Sequence, residues 1–237
     1  MFHPAPVDTP SSPAPVAESA VAPGVRVSAP GRLHLGFLDP SASLGRRFGS
    51  LGLVIDGLET VVEIGDAYPG GADPGDELMP GGDRFSAAAD IPAGLARAEL
   101  ARAAAHLDRL RQAALDRAAQ DQAGAQAADP ALLDRLRRPL HLHLADALPA
   151  HAGLGSGTQL GLAVGRAWAQ WQGLALSTLE LARITGRGLR SGVGIAGFDL
   201  GGLLLDGGPS AQGPAPLLSR LDLPADWRVL LVFDPQH

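Results

Sequence analysis

The sequence of 237 residues predicts an α+β fold, in which short strands form a sheet that packs against helices. Three observations carry this prediction. Alternating apolar strands dominate the first third of the ordered chain, an amphipathic helix follows, and a glycine-rich loop later leads directly into a second helix. With 31 glycines, 20 prolines and only 19% charged residues, the composition fits a scaffold rich in tight turns.

The charged residues narrow the classes of function. The formal net charge is −6, which argues against a general nucleic-acid binder. The chain contains no cysteine, and all 19 basic residues are arginine. Thiolate chemistry, a Walker-type lysine and a Schiff base are therefore excluded. Any phosphate group must be bound by arginine side chains, backbone N–H groups and helix N-termini.

The first 24 residues contain six prolines, two acidic residues and no basic residue. They lack the basic start of a signal peptide and the arginines of a transit peptide. We predict a disordered tail over residues 1–24 on a cytoplasmic protein. No run of about 18 apolar residues exists, so we expect no membrane span.

The elements of the first half follow from alternation and turn residues. Asp56-Gly57 is a good hairpin dipeptide, and it predicts a tight turn between the third and fourth strands. Residues 66–92, rich in Gly, Pro and Asp, are predicted to be an irregular insertion. The predicted strands are Val25–Ala29, Arg32–Leu38, Leu51–Ile55 and Thr60–Ile64.

The second half alternates helices and strands. An apolar stripe predicts a helix over Gly94–Gln122, and a further helix follows the glycine-rich loop that begins near Pro149. Ser177 and Glu180 form a capping box that opens another helix. The predicted strands of this half are Leu140–Leu144, Gly201–Asp206 and Trp227–Phe233.

The glycine-rich loop is the strongest functional signal. Its glycines permit positive φ angles and close approach of an anion, and the helix that follows directs free N–H groups at it. Leu154 stands where a nucleophile elbow needs glycine, so the loop does not present a catalytic serine. A turn that merely starts a helix is the alternative. The candidate anion ligands are Gly153, Gly155, Ser156, Gly157, Thr158 and Gln159.

Residues Gly192–Gly197 match G-x-G-x-x-G, but neither a preceding strand nor a following helix is predicted. We therefore reject a dinucleotide-binding fold and predict a loop. This loop would present arginine and carboxylate groups to a phosphorylated ligand with a divalent ion, although a structural Arg–Asp pairing is an equal alternative. The residues concerned are Arg187, Arg190, Ser191, Asp199 and Asp206.

A second group of candidates lies near the start of the ordered chain. Arg32 and His34 share one strand face, and Asp39 and Arg46 follow closely. His34 is either a base or a hydrogen-bonded structural residue. His141 and His143 also share a strand face, but without a third ligand at a fitting spacing we expect a solvated sheet face.

Three stretches resemble a known family. The loop Pro149–Gln159 resembles the second motif of the GHMP superfamily of small-molecule kinases. Together with Gly31–Asp39 plus Ser43–Arg46, and Arg190–Gly202 plus Asp206–Gly208, it is similar to β-ribofuranosylaminobenzene 5′-phosphate synthases, a branch of that superfamily without kinase activity. Gly157, Thr158 and Gln159 replace the small residues of the kinase motif.

The resemblance implies a transferase. It would join 5-phosphoribosyl diphosphate to 4-aminobenzoate or 4-hydroxybenzoate, release CO₂ and diphosphate, and form a C-riboside on the way to a methanopterin-type carrier. Asp39 or Asp199 would stabilise the ribosyl cation, and Arg32 or His34 would hold the benzoate. Arg46, Arg190, Ser191 and the glycine loop would bind the phosphates, with Mg²⁺ as the expected cofactor.

The resemblance also implies a fold like domain 2 of ribosomal protein S5 over residues 25–226. Residues 227–237 would be the first strand of a second GHMP domain, which the chain otherwise lacks. We expect a homodimer with small-molecule substrates and no nucleic-acid partner. An ATP-dependent GHMP kinase and a non-catalytic module that binds a phosphoribosyl ligand are the alternative functions.

Overall fold

The computed structural model describes residues 24–43, 45–46, 48–67, 77–78, 81–123, 130–188, 191–209 and 214–233. The predicted disordered tail up to residue 23, Arg190 and residues 68–76 of the predicted insertion lie outside these ranges. Those predictions are therefore not tested by the structure.

Seven strands and five helices lie within the described residues. The strands form one sheet, and the combination confirms the predicted α+β class. The strands are β1 (Val25–Leu38), β2 (Gly49–Asp66), β3 (Glu77–Leu78), β4 (Arg84–Ala87), β5 (Leu140–Asp146), β6 (Leu203–Asp206) and β7 (Leu217–Leu221). The helices are α1 (Ala93–Ala123), α2 (Pro130–Arg137), α3 (Ser156–Gln172), α4 (Thr178–Thr185) and α5 (Val193–Leu200).

The long strand β2 is the centre of the sheet. β1 pairs antiparallel along one edge of β2, while β5 and β6 pair antiparallel with the two halves of its other edge. β4 continues the sheet beyond β5 in parallel, β3 follows β4, and β7 pairs with β6. The β1–β2 hairpin therefore connects the two halves of the sheet and carries Arg32 and His34 along its length.

The predicted hairpin at Asp56-Gly57 is wrong. β2 runs through these residues without reversing, and the register with β1 jumps from Pro30 opposite Glu59 to Arg32 opposite Val54. The extra residues of β2 are accommodated as a bulge, in which Gly57 has a φ of 83°. The dipeptide supplies a local bend in either case, and the long pairing with β1 decides that the strand continues.

The predicted loop over Gly192–Gly197 is also wrong, because α5 occupies most of it. The glycines are needed for close packing and not for a loop. A Cβ atom on Gly197 would lie 2.8 Å from Val54 Cγ2, and one on Gly52 would overlap Val193. Helix and sheet therefore meet at glycines on both sides.

Two further predictions differ from the structure. Residues 66–92 contain β4, which pairs with β5, so this segment is only partly irregular. Trp227–Phe233 has the alternation of a strand but forms none, since no described strand pairs with it. Instead, Leu231 packs against the small apolar cluster of Ile55, Leu148 and Leu154. β7 and α2 were not predicted.

The main core lies between the sheet and helices α1, α3 and α4. Trp168 on α3 is fully buried, and the inward-facing leucines of β5 and α1 pack around it. Burial on this scale fixes the position of α3, and with it the loop that precedes it. Within the described ranges, no helix is both long and apolar enough to cross a membrane.

Candidate anion-binding site

The glycine loop turns the chain from β5 into α3. Gly153 and Gly155 have φ angles of 76° and 75°, in the left-handed region that favours glycine. The carbonyl of Gly155 accepts hydrogen bonds from the N–H groups of Thr158 and Gln159, at 3.0 and 3.2 Å, and so starts the helix. The prediction that a glycine loop opens a helix here is confirmed, and the positive end of the α3 dipole lies at this loop.

Arg32 of β1 lies directly against this loop. Its backbone N–H donates to the carbonyl of Leu154 at 3.1 Å. Its Nη1 donates to the carbonyl of Gly155 and its Nη2 to Thr158 Oγ1, both at 3.4 Å. A Cβ atom on Gly155 would overlap the guanidinium group, and one on Gly194 of α5 would lie 2.6 Å from Nη2. We call Arg32, Gly155, Thr158 and Gly194 the Arg32 cradle.

The Arg32 cradle has an uncompensated positive charge. Burial lowers the pKa of Arg32 to about 10, and the side chain still carries its proton at neutral pH. Among the described residues no carboxylate pairs with this guanidinium, and its two hydrogen bonds are long. A partly buried cation with weak partners at a helix N-terminus is suited to binding an anion.

Gln159, in the first turn of α3, supports the same interpretation. Its side chain is fully buried, and neither its oxygen nor its nitrogen has a hydrogen-bond partner within the described part of the chain. Buried amides are normally hydrogen-bonded, so an unsatisfied one calls for a bound molecule or water. The structure therefore places an unsatisfied polar group at one of the predicted anion ligands.

Asp206 explains how α5 reaches the Arg32 cradle. One of its carboxylate oxygens accepts from Ser191 Oγ and from the backbone N–H groups of Gly192 and Val193, at 2.8–3.1 Å. The other accepts from the N–H groups of Ser50 and Gly208, both at 2.9 Å. This buried carboxylate joins β2, β6 and the N-terminus of α5. Its role is structural, but its donors are backbone N–H groups and a serine hydroxyl and not the arginine of the structural alternative.

The remaining candidates of β1 lie beyond the Arg32 cradle along the same strand. Arg32 and His34 share a face, as predicted, and the exposed ring of His34 lies 4.4 Å from that of Phe37, which in turn contacts Phe48. Asp39 Oδ1 accepts hydrogen bonds from the hydroxyl and N–H groups of Ser43 and from Ser41 Oγ.

Arg46 Nη1 donates to the carbonyl of Gly208 at 2.9 Å. This bond ties the loop after β1 to the end of β6, the strand that carries Asp206. The candidates Asp39 and Arg46 therefore belong to one loop, on the same end of the sheet as the aromatic rings.

The structure does not bring Asp199 to this site. Asp199 accepts from Thr178 Oγ1 at 2.8 Å and lies 3.6 Å from Arg166 Nη2. Arg166 is ten residues beyond Ser156 on α3, which corresponds to about 15 Å along the helix. Ser191 Oγ donates to Asp206 and accepts from the N–H group of Val193, so both of its hydrogen bonds stay at the start of α5. The predicted roles of Asp199 and Ser191 stay predictions, and Arg190 lies outside the described residues.

Few of the described side chains are arranged as ligands for a metal ion. His141 Nε2 and His143 Nδ1 both contact Ser86 Oγ, at 2.8 and 2.9 Å. In the part of the chain that the structure describes, no three His, Asp or Glu side chains converge as metal ligands would. The groups around the Arg32 cradle are guanidinium and amide donors, which suit an anion and not a cation.

Sequence reasoning missed two contributors to the Arg32 cradle. Gly194 was assigned to a loop, and only its close approach to Arg32 shows why it has no side chain. Asp206 was noted for its proximity in sequence, without its five donors. Both contributors had one signal in the sequence, which is the group of glycines close to Asp206. An aspartate can bind the free N–H groups at the start of a helix, and glycines let that helix pack closely on a sheet.

The chain is similar to a known family and to known proteins. Residues 123–202 match the family model of the GHMP kinases N terminal domain. The β-ribofuranosylphenol 5′-phosphate synthase of Methanothermobacter thermautotrophicus is 30% identical over 218 residues, which cover 86% of this chain and 56% of that protein. The protein of the same name from Archaeoglobus fulgidus is 50% identical over 95 residues, which cover 35% of this chain and 30% of that one.

Among solved structures, the mevalonate kinase of methicillin-resistant Staphylococcus aureus is 16% identical with a TM-score of 0.44 and covers 84% of this chain and 56% of that one. The homoserine kinase of Cytophaga hutchinsonii is 15% identical with a TM-score of 0.44, and the match covers 89% of this chain and 55% of that one.

The chain spans between 30% and 56% of the length of the curated relatives it matches. The identities are highest over the shorter matched segments, at 50% and 40%. Together with the match to the N-terminal domain, they bear out the resemblance carried by the three sequence stretches. Residues 123–202 are thus similar to the N-terminal domain of the GHMP kinases, and most of the chain is similar to relatives named β-ribofuranosylphenol 5′-phosphate synthases.

Proposed function

We propose that this chain takes part in the transfer of a phosphoribosyl group from 5-phosphoribosyl diphosphate to a 4-substituted benzoate, as a step toward a methanopterin-type carrier. The bond between C1 of the pentose and the diphosphate oxygen breaks. A bond forms from C1 to the ring carbon that bears the carboxylate. The carboxylate then leaves as CO₂ and its bonding electron pair returns to the ring. Diphosphate is the second leaving group.

The Arg32 cradle is the observation that carries this proposal. A departing diphosphate needs positive charge that is already in place, because a prearranged group stabilises developing charge without reorganising. Arg32 is such a group, since it is partly buried and pairs with no carboxylate among the described residues. The backbone N–H groups at the start of α3 would bind further phosphate oxygens.

The benzoate is proposed to lie near the exposed rings of His34 and Phe37. These rings lie beyond Arg32 on the same strand, close to the loop that contains Asp39. An aromatic acceptor can stack on them, and stacking would orient its ring carbon toward C1. The name of the relatives contains phenol, the ring that 4-hydroxybenzoate leaves after losing its carboxylate. We therefore propose 4-hydroxybenzoate as the first acceptor to test.

Mg²⁺, the homodimer and the cytoplasmic location stay predictions. The donor set near the Arg32 cradle does not fit a metal ion held by protein side chains, so no step is derived through one. A kinase function is not favoured, because three curated relatives that are 30–50% identical to this chain are named as synthases.

The test is to measure release of diphosphate by the purified chain with 5-phosphoribosyl diphosphate and 4-hydroxybenzoate. We expect Arg32→Gln to lower the affinity for the diphosphate substrate by at least tenfold. Arg138→Gln is the matched control, because Arg138 is exposed and pairs with the exposed Asp66 at the far end of β2. Consumption of ATP without release of diphosphate would show a kinase instead. Equal affinity of the Arg32 variant and the parent would refute the assigned role of the cradle.

A further inference from the structure

A second group of arginines approaches α3 at Gly157, next to the residues that contact Arg32. Arg102 and Arg109 belong to α1, and Arg187 follows the end of α4. The buried carboxylate of Glu99 forms an ion pair with Arg102 and also interacts with the charge of Arg187, while Arg109 lies near enough to Arg187 for their charges to interact. We call Arg102, Arg187 and the neighbouring His106 the α1 pocket. Three positive charges against one negative charge leave an excess of positive charge, in a chain whose net charge is −6.

The α1 pocket lies against the first two turns of α3. A Cβ atom on Gly157 would lie 3.3 Å from Arg187 Nη2 and 3.6 Å from Arg102 Nη1. A Cβ atom on Gly161, one turn later, would lie 3.3 Å from both the Arg187 side chain and His106 Nε2. The two glycines therefore keep this side of the helix open to the guanidinium groups. The glycine at position 157 then serves the α1 pocket, while the glycine at 155 serves the Arg32 cradle.

His106 gives an independent sign of a missing ligand. The residue is only 2% exposed, and its Nε2 has no hydrogen-bond partner among the described residues. Arg109 Nη1 lies 3.5 Å from Nδ1 of the same ring, a contact that makes Nδ1 the acceptor and leaves the proton on Nε2. A buried N–H donor without an acceptor is costly, and it is directed toward the side of α3 on which Arg187 lies.

The side chain of Arg187 is partly exposed, and its guanidinium group has no partner among the described residues. Within the described ranges no hydrogen bond or ion pair is formed by its guanidinium group, and its backbone N–H alone is bound, to the carbonyl of Ala182. Its pKa is lowered by burial and then by the neighbouring charges of Arg102 and Arg109. The unpaired guanidinium of Arg187 and the ring N–H of His106 converge beside Arg102, which pairs with Glu99. Such a set of donors matches the oxygens of a phosphate monoester, which carries about two negative charges.

We propose that the α1 pocket binds the 5-phosphate of the pentose substrate while the Arg32 cradle binds its diphosphate. The identity of the ligand rests on the proposed function. The two sites flank one turn of the same helix, and a turn rises by about 5.4 Å, a span that one pentose ring can bridge. A substrate held at both ends fixes C1 between them. A pentose that lacks the 5-phosphate would then bind by one end only.

The test separates the two ends of the substrate. Binding of ribose 5-phosphate and of inorganic diphosphate is measured by calorimetry for the parent chain, Arg187→Gln and Arg32→Gln. We expect Arg187→Gln to lower the affinity for ribose 5-phosphate at least tenfold and to change the affinity for diphosphate by less than twofold. We expect Arg32→Gln to lower the affinity for diphosphate at least tenfold and to change that for ribose 5-phosphate by less than twofold. Inorganic phosphate is expected to compete with ribose 5-phosphate, and ribose is not. Arg117→Gln, an exposed arginine on the same helix α1, is the control for net charge.

A second variant covers the case in which Arg187→Gln is poorly folded. In Gly157→Ala the added methyl group would press on Arg187 Nη2, while alanine itself suits a helix. We expect the same selective loss of ribose 5-phosphate affinity. The inference is overturned if the parent binds no ribose 5-phosphate, or if neither variant weakens it. Should diphosphate binding still depend on Arg32 in that case, the proposed function would stand without the α1 pocket.

Discussion

Arg32 Nη2 lies 2.6 Å from the position that a Cβ atom of Gly194 would occupy. β1 supplies the arginine and α5 supplies the glycine, so the Arg32 cradle forms only when α5 docks on the sheet. Asp206 holds α5 in that position through the N–H groups of Gly192 and Val193. The position of the Arg32 guanidinium thus depends on three features. Asp206 holds the start of α5, the pairing of β1 with β2 places Arg32, and Gly194 has no side chain that would displace it.

The first prediction concerns Gly194→Ala. The methyl group would displace the guanidinium of Arg32, and we expect the affinity for diphosphate to fall at least tenfold, which is about 1.4 kcal/mol. The melting temperature should change little, because the end of a flexible side chain can move and alanine suits a helix. Calorimetry and thermal unfolding check the two parts. Gly94→Ala is the control, since a Cβ there meets open space. An unchanged affinity for diphosphate would show that diphosphate binding does not depend on the position of the Arg32 guanidinium.

The second prediction concerns the buried carboxylate of Asp206. Asparagine keeps one acceptor oxygen but directs an NH₂ group at backbone donors, so Asp206→Asn leaves several N–H groups unsatisfied. We expect a loss of about 2–4 kcal/mol in the free energy of unfolding, from broken charge-assisted hydrogen bonds. Urea denaturation measures it. Asp222→Asn, an exposed residue in the ion pair with Arg220, should change stability by less than about 1 kcal/mol. Equal losses in the two variants would contradict the role of Asp206.

The sequence predicts the parts of this protein that are encoded locally. The capping box at Ser177 and Glu180 forms as expected, with both reciprocal hydrogen bonds. The residues with the predicted apolar stripe form the helix α1. The glycine loop before α3 is also found, because left-handed glycines and a following apolar helix are short-range signals.

Apart from the missed helix α2, the failures involve long-range contacts. Asp56-Gly57 bends the chain, but β1 pairs on both sides of it and makes it a bulge. The glycines of α5 resemble a loop until the sheet they pack on is known. The environment of the Arg187 guanidinium is built by three helices, α1, α3 and α4, and has no signature in the sequence. Similarly, nothing in the sequence says that Asp199 pairs with Thr178 and Arg166, away from the cradle.

The third prediction separates the charge of Asp39 from its role in the loop. Asp39→Asn keeps an oxygen that can accept from Ser41 and Ser43, so the loop should remain folded. If the carboxylate stabilises the ribosyl cation, we expect turnover to fall about 100-fold or more with little change in substrate affinity. Steady-state kinetics of diphosphate release measure both values. Asp90→Asn, an exposed aspartate, is the control. A variant that retains full turnover would exclude Asp39 from the chemistry.

The fourth prediction concerns stability at acidic pH. Burial, followed by the charges of Arg187, Arg109 and Arg102, lowers the pKa of His106 from 6.5 to about 4. Between these two values the unfolded chain binds a proton that the folded chain does not. The free energy of unfolding therefore falls as the pH falls from 6.5 to 4, by up to about 3 kcal/mol. Glu99 acts in the opposite direction, because burial raises its pKa and the folded chain holds the extra proton.

His106→Gln isolates the contribution of His106 from that of Glu99. Glutamine does not titrate, so the loss of packing should shift the whole stability curve, while the slope between pH 4 and 6.5 should become shallower than in the parent chain. Urea denaturation at several pH values in this window measures the slope. His34→Gln is the control, because it removes an exposed imidazole and keeps the buried ring of His106. Parallel curves for His106→Gln and the parent would show that His106 is protonated in the folded protein, contrary to a neutral ring that donates from Nε2.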